Sequence, residues 1–192
     1  MLTKKHDIIE TATRLFAYQG FKGTTTRQII VESGTSDPLL YYHFKSKDDL
    51  YIQIVEAAFN KYFSRLESLP QETSAEFDKI EGLIQLNFEL VQEMPEEIHL
   101  VIVTCPPRLN DPRHICTKNI KKQRKFLSSY LSDCLKRGRS SGEFVKVPIS
   151  KTVSLIIGMI NGMLRLRSLG LDKLQGMDKT AVEFCRRSLL RT

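Results

Sequence analysis

Polar groups of several kinds crowd into the stretch TSDPLLYYHFKSKDDLY, residues 35–51. Leu40 and Phe44 lie four residues apart, so on a helix they share one face, and we expect that face to point into the core. The residues on the other side are Ser36, Leu39, Tyr42 and His43. Lys47 follows at the start of another helix, whose free N–H groups attract anions. Hydroxyl, imidazole and ammonium groups all hydrogen-bond phosphate oxygens, so the stretch predicts a surface for a phosphate-bearing polyanion.

Two short helices separated by a glycine turn are predicted to position these groups. Thr25 with Gln28 three residues later forms a capping box that opens one helix, and Gly34 follows that helix as a turn residue. Ser36 caps the next helix, whose first turn tolerates proline because its earliest N–H groups have no intrahelical partner. Before them, an apolar stripe of helical period is expected to end at Gly20. This order predicts a helix-turn-helix, whose second helix is short enough for a major groove about 12 Å wide.

Caps and breakers divide the whole chain into roughly nine helical segments. No segment shows the alternating pattern of a strand, so the predicted fold class is all-α. Ser46 with Asp49 three residues later opens a long amphipathic fourth helix directly after the helix-turn-helix.

The composition is that of an ordinary globular protein, with 192 residues, 41% hydrophobic and 27% charged. The four cysteines are far apart and form no CxxC pair, which indicates buried thiols in a reducing cytosol and no metal site. The N-terminus lacks the apolar core of a signal peptide, and no apolar run reaches the roughly 20 residues that span a bilayer. No nucleophile-elbow, P-loop or HExxH motif occurs. We therefore expect a cytoplasmic protein that is not an enzyme, contacts no membrane and needs no cofactor.

The formal net charge of +7 does not by itself indicate nucleic-acid binding. Residues 1–50 carry seven Lys and Arg against six Asp and Glu, a net of +1. The excess lies in residues 113–139, with nine basic side chains against one acid, while residues 71–98 carry eight acids against one lysine. We interpret these two regions as neighbouring helices with complementary solvated faces rather than as a DNA-binding stripe.

On these residues, the chain resembles the TetR family of transcriptional regulators. The resemblance runs from IIETATRLFAYQGFKGTTTRQI through SGTSDPLLYYHFKSKDDL, where the caps, the turn, LYYHF and KSKDDL occur in family order and spacing. It covers about the first quarter of the chain. The resemblance implies a DNA-binding domain at residues 1–46 and a helical ligand-binding and dimerisation domain at residues 47–192. It also implies that a homodimer binds double-stranded operator DNA and is released by a small-molecule effector.

The resemblance assigns DNA contacts to eight residues of the helix-turn-helix. Three of its positions differ from the residues common in the family: Thr35 stands where a buried Val packs, while Asp37 and Leu39 lie where bases are read, so base specificity does not carry over. The implied roles are a backbone or base contact for Thr25 and Arg27, an approach to base edges for Ser36, Asp37 and Leu39, and phosphate contacts for Tyr42, His43 and Lys47.

The segment SLIIGMINGMLRL, residues 154–166, is apolar on most sides, and two glycines four residues apart allow another helix to approach closely. With the last helix, it is expected to form a four-helix interface with a second copy, and ordinary intrachain core is the alternative. The candidate interface residues are Ile157, Gly158, Ile160, Gly162, Leu164 and Phe184.

The resemblance also implies an effector pocket between the fourth and eighth helices. Each candidate lining residue is equally well explained as core; they are Phe88, His99, Thr104, Phe126, Tyr130 and Met159. The sequence thus predicts a homodimeric, ligand-responsive repressor. The alternative is a helical interaction protein that keeps the fold without operator recognition, which the near-neutral N-terminal region and Asp37 favour.

Overall fold

A computed structural model describes residues 2–69, 75–101, 115–168, 170 and 176–191. These residues form nine α-helices, and their one β-type pairing is an isolated bridge between Phe144 and Leu190. The predicted all-α fold class is confirmed. The helices are α1 Leu2–Gly23, α2 Thr26–Glu32, α3 Asp37–His43, α4 Lys47–Glu67, α5 Glu76–Glu93, α6 Pro95–His99, α7 Ile115–Ser141, α8 Ile149–Ser168 and α9 Met177–Leu189.

The chain divides into two compact units, each with its own internal contacts. Unit 1 consists of Met1–Lys61 and Met94–Asn119, and unit 2 consists of Tyr62–Glu93 and Ile120–Thr192. Helices α4 and α7 therefore each contribute residues to both units. The domain boundary expected after residue 46 stays a prediction.

Helix α1 supplies the centre of unit 1. Its apolar stripe is buried, and Ile8 and Phe16 are both fully shielded from solvent. Gly20 has a positive φ of 72° with ψ of 166°, so the helix is kinked there and then resumes to Gly23. The predicted glycine break is present, but one further helical turn follows it. Glycine suits this position because a side chain strains the backbone at positive φ.

Unit 2 is built around α5, which packs against α8 and α9 and is buried along most of its length. The first N–H groups of α5 have no partner within the helix. The carboxylate of Glu143 accepts two of them, from Glu76 at 2.9 Å and Phe77 at 2.8 Å. Glu143 lies in the loop after α7, and Phe144 beside it is buried against Gly138. A cap supplied from 67 residues away leaves no local signature, and sequence analysis missed it.

The charged residues of unit 2 pair differently from the expectation. Arg137 of α7 contacts Glu76 of α5 at 2.7 Å, as complementary faces predict. Three other α5 acids pair elsewhere, Glu81 with Arg186 of α9, and Glu89 and Glu93 with Arg65 of α4. Five basic residues in the first half of α7 are exposed and form no ion pair within the described residues: Lys118, Lys121, Lys122, Arg124 and Lys125. The interpretation therefore holds for one α7 residue and fails for these five.

The predicted buried thiols are confirmed where the structure describes them. Cys134 and Cys185 are free and buried, and burial raises the pKa of each thiol to about 11. Thiols with a raised pKa are poor nucleophiles because the thiolate is the reactive form. Cys105 lies outside the described residues, as does the side chain of Cys116.

Candidate nucleic-acid interface

Helices α2 and α3 pack against α1 through a few fully buried side chains. Ile29 of α2, Leu40 of α3 and Phe44 after α3 are all at most 1% exposed. The expectation that Leu40 and Phe44 face the core is confirmed. Because these anchors occupy one side of α3, the opposite side remains in solvent.

The turn between α2 and α3 is fixed by backbone bonds. The Thr25 hydroxyl accepts the Gln28 N–H at 3.1 Å and so caps α2, as predicted. Gly34 has a φ of 58°, and the Thr35 N–H donates to the Ile30 carbonyl at 3.0 Å. Ser36 is the N-cap residue of α3, but its hydroxyl makes no capping bond. Ser36 itself is exposed.

A pair of opposite charges lies at the N-terminal end of α3. Arg27 of α2 and Asp37 of α3 approach to 3.9 Å, and their side chains are 80% and 59% exposed. An ion pair this exposed and this long contributes little stability. Both groups therefore remain accessible to another molecule. They lie at the N-terminal end of α3, the second helix of the motif, and helix-turn-helix proteins contact bases with the first residues of that helix.

The C-terminal half of α3 presents aromatic polar groups. Tyr42 is 71% exposed, and its ring contacts the His43 ring with centroids 5.0 Å apart. His43 is half-buried, and its Nε2 atom has no hydrogen-bond partner within the described residues. Leu39 is also half-buried. Tyr41 is 50% exposed, so α3 offers a second exposed phenol beside that of Tyr42.

Lys47 has a structural role that sequence analysis missed. Its ammonium donates to the carbonyl oxygens of Phe21 at 2.8 Å and Thr24 at 2.9 Å, and it lies 4.3 Å from the centre of the Phe21 ring. These carbonyls belong to the segment that follows the Gly20 kink. An ammonium has three N–H donors, so one remains for a phosphate. Lys47 thus joins the start of α4 to the end of α1.

The start of α4 is capped as the sequence predicts. The Ser46 hydroxyl accepts the Asp49 N–H at 3.1 Å. The Asp49 carboxylate in turn accepts the Lys45 N–H at 2.8 Å. A hydrogen bond from Gln53, this backbone bond and the nearby lysine charges lower the pKa of Asp49. The cap keeps the chain between α3 and α4 in one conformation.

Unit 2 carries a second exposed surface, of opposite chemistry. Leu155 of α8 and Phe184 of α9 are 73% and 65% exposed, and both line a groove of about 640 Å³ between these helices. We call this surface the α8–α9 face. Leu166 extends it, and Gly158 and Gly162 lie on it with open space where a side chain would stand.

Two of the predicted interface residues do not belong to this face. Ile160 and Leu164 are 1% and 2% exposed, so they lie in the core of their own unit, and Ile157 is half-buried. Helix α8 is apolar on both sides, so the sequence pattern did not distinguish core from surface. The span Ile149–Leu166 is long and apolar enough to cross a membrane by length and composition, with 28% of it buried. This apolarity is shared between the core and the α8–α9 face.

The candidate effector residues are not gathered at one place. Phe126 and Tyr130 stack with ring centroids 6.1 Å apart, and the Tyr130 hydroxyl donates to the Lys79 carbonyl at 3.4 Å. His99 belongs to unit 1, where its ring contacts that of Tyr18. Of the remaining candidates, Phe88 is buried in α5 and Met159 lines the α8–α9 groove. Thr104 lies outside the described residues.

A helix-turn-helix whose second helix exposes polar side chains is typical of DNA-binding proteins. Residues 8–54 match the family model described as bacterial regulatory proteins, tetR family. The segment that carries the helix-turn-helix is therefore similar to this family, and the chain is identified as a DNA-binding regulator of transcription.

Known relatives extend the likeness beyond the first helices. The transcriptional repressor KstR2 of Mycolicibacterium smegmatis is 27% identical over 145 residues, which cover 74% of this chain and 68% of that protein. The structure of the ketosteroid transcriptional regulator KstR2 of Mycobacterium tuberculosis superposes with a TM-score of 0.81 at 20% identity, over 98% of this chain and 95% of the other. FadR of Bacillus subtilis, solved in complex with stearoyl-CoA, gives a TM-score of 0.69 at 20% identity, over 94% and 96%.

Proposed function

We propose that the protein is a homodimeric repressor that binds a pseudo-palindromic operator and is released from it by a small-molecule effector. The observation that carries this proposal is that one chain has two exposed surfaces, the polar side of α3 and the apolar α8–α9 face. A single recognition helix rarely gives enough affinity and specificity. A dimer binds a second half-site about 34 Å away along the DNA. Operator binding by α3 therefore depends on dimerisation through the α8–α9 face.

On DNA, α3 lies in the major groove. Ser36, Asp37 and Leu39 approach base edges from its first turns, and Arg27 approaches from α2. Tyr42, His43, Thr25 and the remaining donor of Lys47 hold phosphates or sugars. The support is the exposure of Thr25, Arg27, Ser36, Asp37 and Tyr42, with Leu39, His43 and Lys47 half-buried among them. Hydroxyl, guanidinium, imidazole and ammonium groups can donate to phosphate oxygens. Phosphate contacts fix position, and base contacts select the sequence.

The α8–α9 face binds the same face of a second copy. Gly158 and Gly162 let the two α8 helices approach closely, while Leu155 and Phe184 fill grooves of the partner. Exposed side chains of this size rarely remain in water as a contiguous patch unless a partner covers them. Two-fold symmetry makes each contact occur twice, so a modest patch provides a large interface.

The stearoyl-CoA complex of FadR makes coenzyme A thioesters the first ligands to test. Phe88, Phe126 and Tyr130 of unit 2 are the candidate contacts, whereas Met159 lies in the groove assigned to the second copy. Helix α4 runs without a break from Lys47, next to α3, to Glu67 in unit 2. An effector that shifts α4 alters the spacing of the two α3 helices and removes contacts from one half-site.

The deciding experiment selects bound fragments from genomic DNA and then measures affinity for the enriched sequence at several salt concentrations. We expect an inverted repeat, bound by a dimer, with affinity falling steeply as salt rises. Selection of no common sequence contradicts the repressor and favours the alternative, a helical interaction protein without operator recognition. We assign no catalytic role to the chain and place it in the cytoplasm, where a bacterial repressor meets DNA.

The release mechanism has its own test. An effector that weakens operator binding by a coupling of about 1–3 kcal/mol must itself bind roughly 5- to 150-fold more weakly when operator is present, because coupling is reciprocal. Calorimetric titration of coenzyme A thioesters with and without operator measures this factor. Equal affinities in the two titrations contradict the mechanism.

A further inference from the structure

Asp37 stands out among the exposed residues of the recognition surface because it carries a negative charge toward DNA. It is the first residue of α3, its side chain is 59% exposed, and its one ion-pair partner within the described residues is Arg27, at 3.9 Å. A weak surface pair does not explain why a carboxylate occupies this position. Favourable interaction with the N-terminal end of α3 contributes only about 0.3–1 kcal/mol, and the hydroxyl residues common at helix starts give similar stabilisation without a charge.

The major groove offers donors to a carboxylate at only some bases. Guanine presents two acceptors, N7 and O6, and thymine presents the O4 acceptor and a methyl group. An ionised carboxylate accepts hydrogen bonds and donates none, so both bases repel it. Cytosine presents the N4 amino donor alone, whereas adenine places the N7 acceptor beside its N6 donor. At adenine, the second carboxylate oxygen lies against the N7 acceptor and is repelled. Cytosine has no such acceptor, so the carboxylate is tolerated there.

Arg27 supplies the complementary half of the contact. Guanidinium groups donate two parallel hydrogen bonds to guanine O6 and N7, the commonest specific contact in the major groove. The ion pair places the guanidinium of Arg27 within 3.9 Å of the Asp37 carboxylate, so the two groups reach neighbouring positions on the base edges. The Arg27 guanidinium matches the guanine O6 and N7 acceptors, and the Asp37 carboxylate matches the cytosine N4 donor.

We infer that Asp37 determines operator specificity by accepting a hydrogen bond from cytosine N4 in each half-site, with Arg27 bound to a guanine of the adjacent base pair. The inference rests on the proposed function, since it requires α3 in the major groove. It gives the carboxylate a role in rejecting guanine and thymine as well as in selecting cytosine.

The test compares selected sequences for the full-length wild type and three variants, using a randomised duplex library. Wild type is expected to select cytosine at one position per half-site by roughly tenfold or more over guanine and thymine. Asp37→Asn is expected to shift that position to adenine, because an amide pairs with adenine N6 and N7. Arg27→Ala is expected to lose the guanine preference and keep the cytosine preference.

Glu10→Gln is the matched control, because it removes one exposed negative charge of unit 1 outside the helix-turn-helix. It is expected to leave every base preference unchanged. Unaltered selection by Asp37→Asn overturns the inference while leaving the repressor function intact. Loss of only the guanine preference in Asp37→Asn overturns it too, since Asp37 then merely orients Arg27. If wild type selects no common sequence, the proposed function fails and the inference with it.

Discussion

The exposed side of α3 and the α8–α9 face are both surfaces left open by a packed helix, yet they have opposite chemistry. The first presents Tyr42, His43 and the Arg27–Asp37 pair. The second presents Leu155, Phe184 and the bare backbone of Gly158. Phosphates and base edges need donors and acceptors, whereas a second copy of the chain needs apolar area and close approach. The difference shows that exposure alone does not identify a site; the kind of group exposed identifies its partner.

The largest effect on operator affinity is expected from replacing the two glycines of the α8–α9 face with large side chains. Neither Gly158 nor Gly162 has an atom within 4 Å of where its Cβ would stand, so Gly158→Leu with Gly162→Leu leaves the protomer intact. The added side chains separate the two copies and yield monomers. Operator affinity is expected to fall by about 100-fold or more, because the second half-site no longer adds to the first. Sedimentation measures the mass and fluorescence anisotropy the affinity. An intact dimer in this variant places the interface elsewhere.

Gly138 of α7 provides the contrasting case within the same unit. A Cβ at this position overlaps the buried ring of Phe144, so Gly138→Ala must displace that ring. We expect about 1–3 kcal/mol of lost stability, as overpacking usually costs. Denaturant unfolding measures the change, and the dimer is expected to persist under native conditions. Unchanged stability would show that the loop carrying Phe144 and Glu143 adjusts freely.

Lys47→Ala tests a residue of the polar surface that has both a structural role and a proposed phosphate contact. The change removes two bonds to the Phe21 and Thr24 carbonyls and the donor left for a phosphate. We expect about tenfold weaker binding to every operator variant and a salt dependence reduced by about one counterion. A stability loss of roughly 1 kcal/mol should accompany it. An unchanged salt dependence with the same stability loss restricts Lys47 to its structural role.

The smallest effect is expected for Tyr42→Phe. The ring remains, and only an exposed hydroxyl is lost. Affinity is expected to fall about three- to tenfold, equally across operator variants, since a phosphate contact carries no sequence information. Stability and oligomeric state should match wild type. Unequal losses among operator variants would falsify the phosphate assignment and move Tyr42 to a base edge.

Most of the helix-turn-helix was predictable because its determinants are local. Thr25 and Gln28 are three residues apart, and Leu40 and Phe44 are four apart, so caps and buried faces follow from the pattern itself. The polar residues of α3 then had to face solvent. By contrast, helix α8 is apolar on both sides, and the pattern did not show that Ile160 is core while Leu155 is surface. The neighbours on α5 and α9 make that choice.

The sequence by itself determined the all-α fold class, the short helices α2 and α3, the Thr25 cap of α2, and the side of α3 that is buried. Capping bonds and helical periods act within one turn of helix, so they can be read without a fold. Only the tertiary structure decided that Lys47 binds the end of α1, that Glu143 caps α5 and that Asp37 stands beside Arg27. These contacts join residues far apart in the chain, and their partners are chosen by packing rather than by spacing.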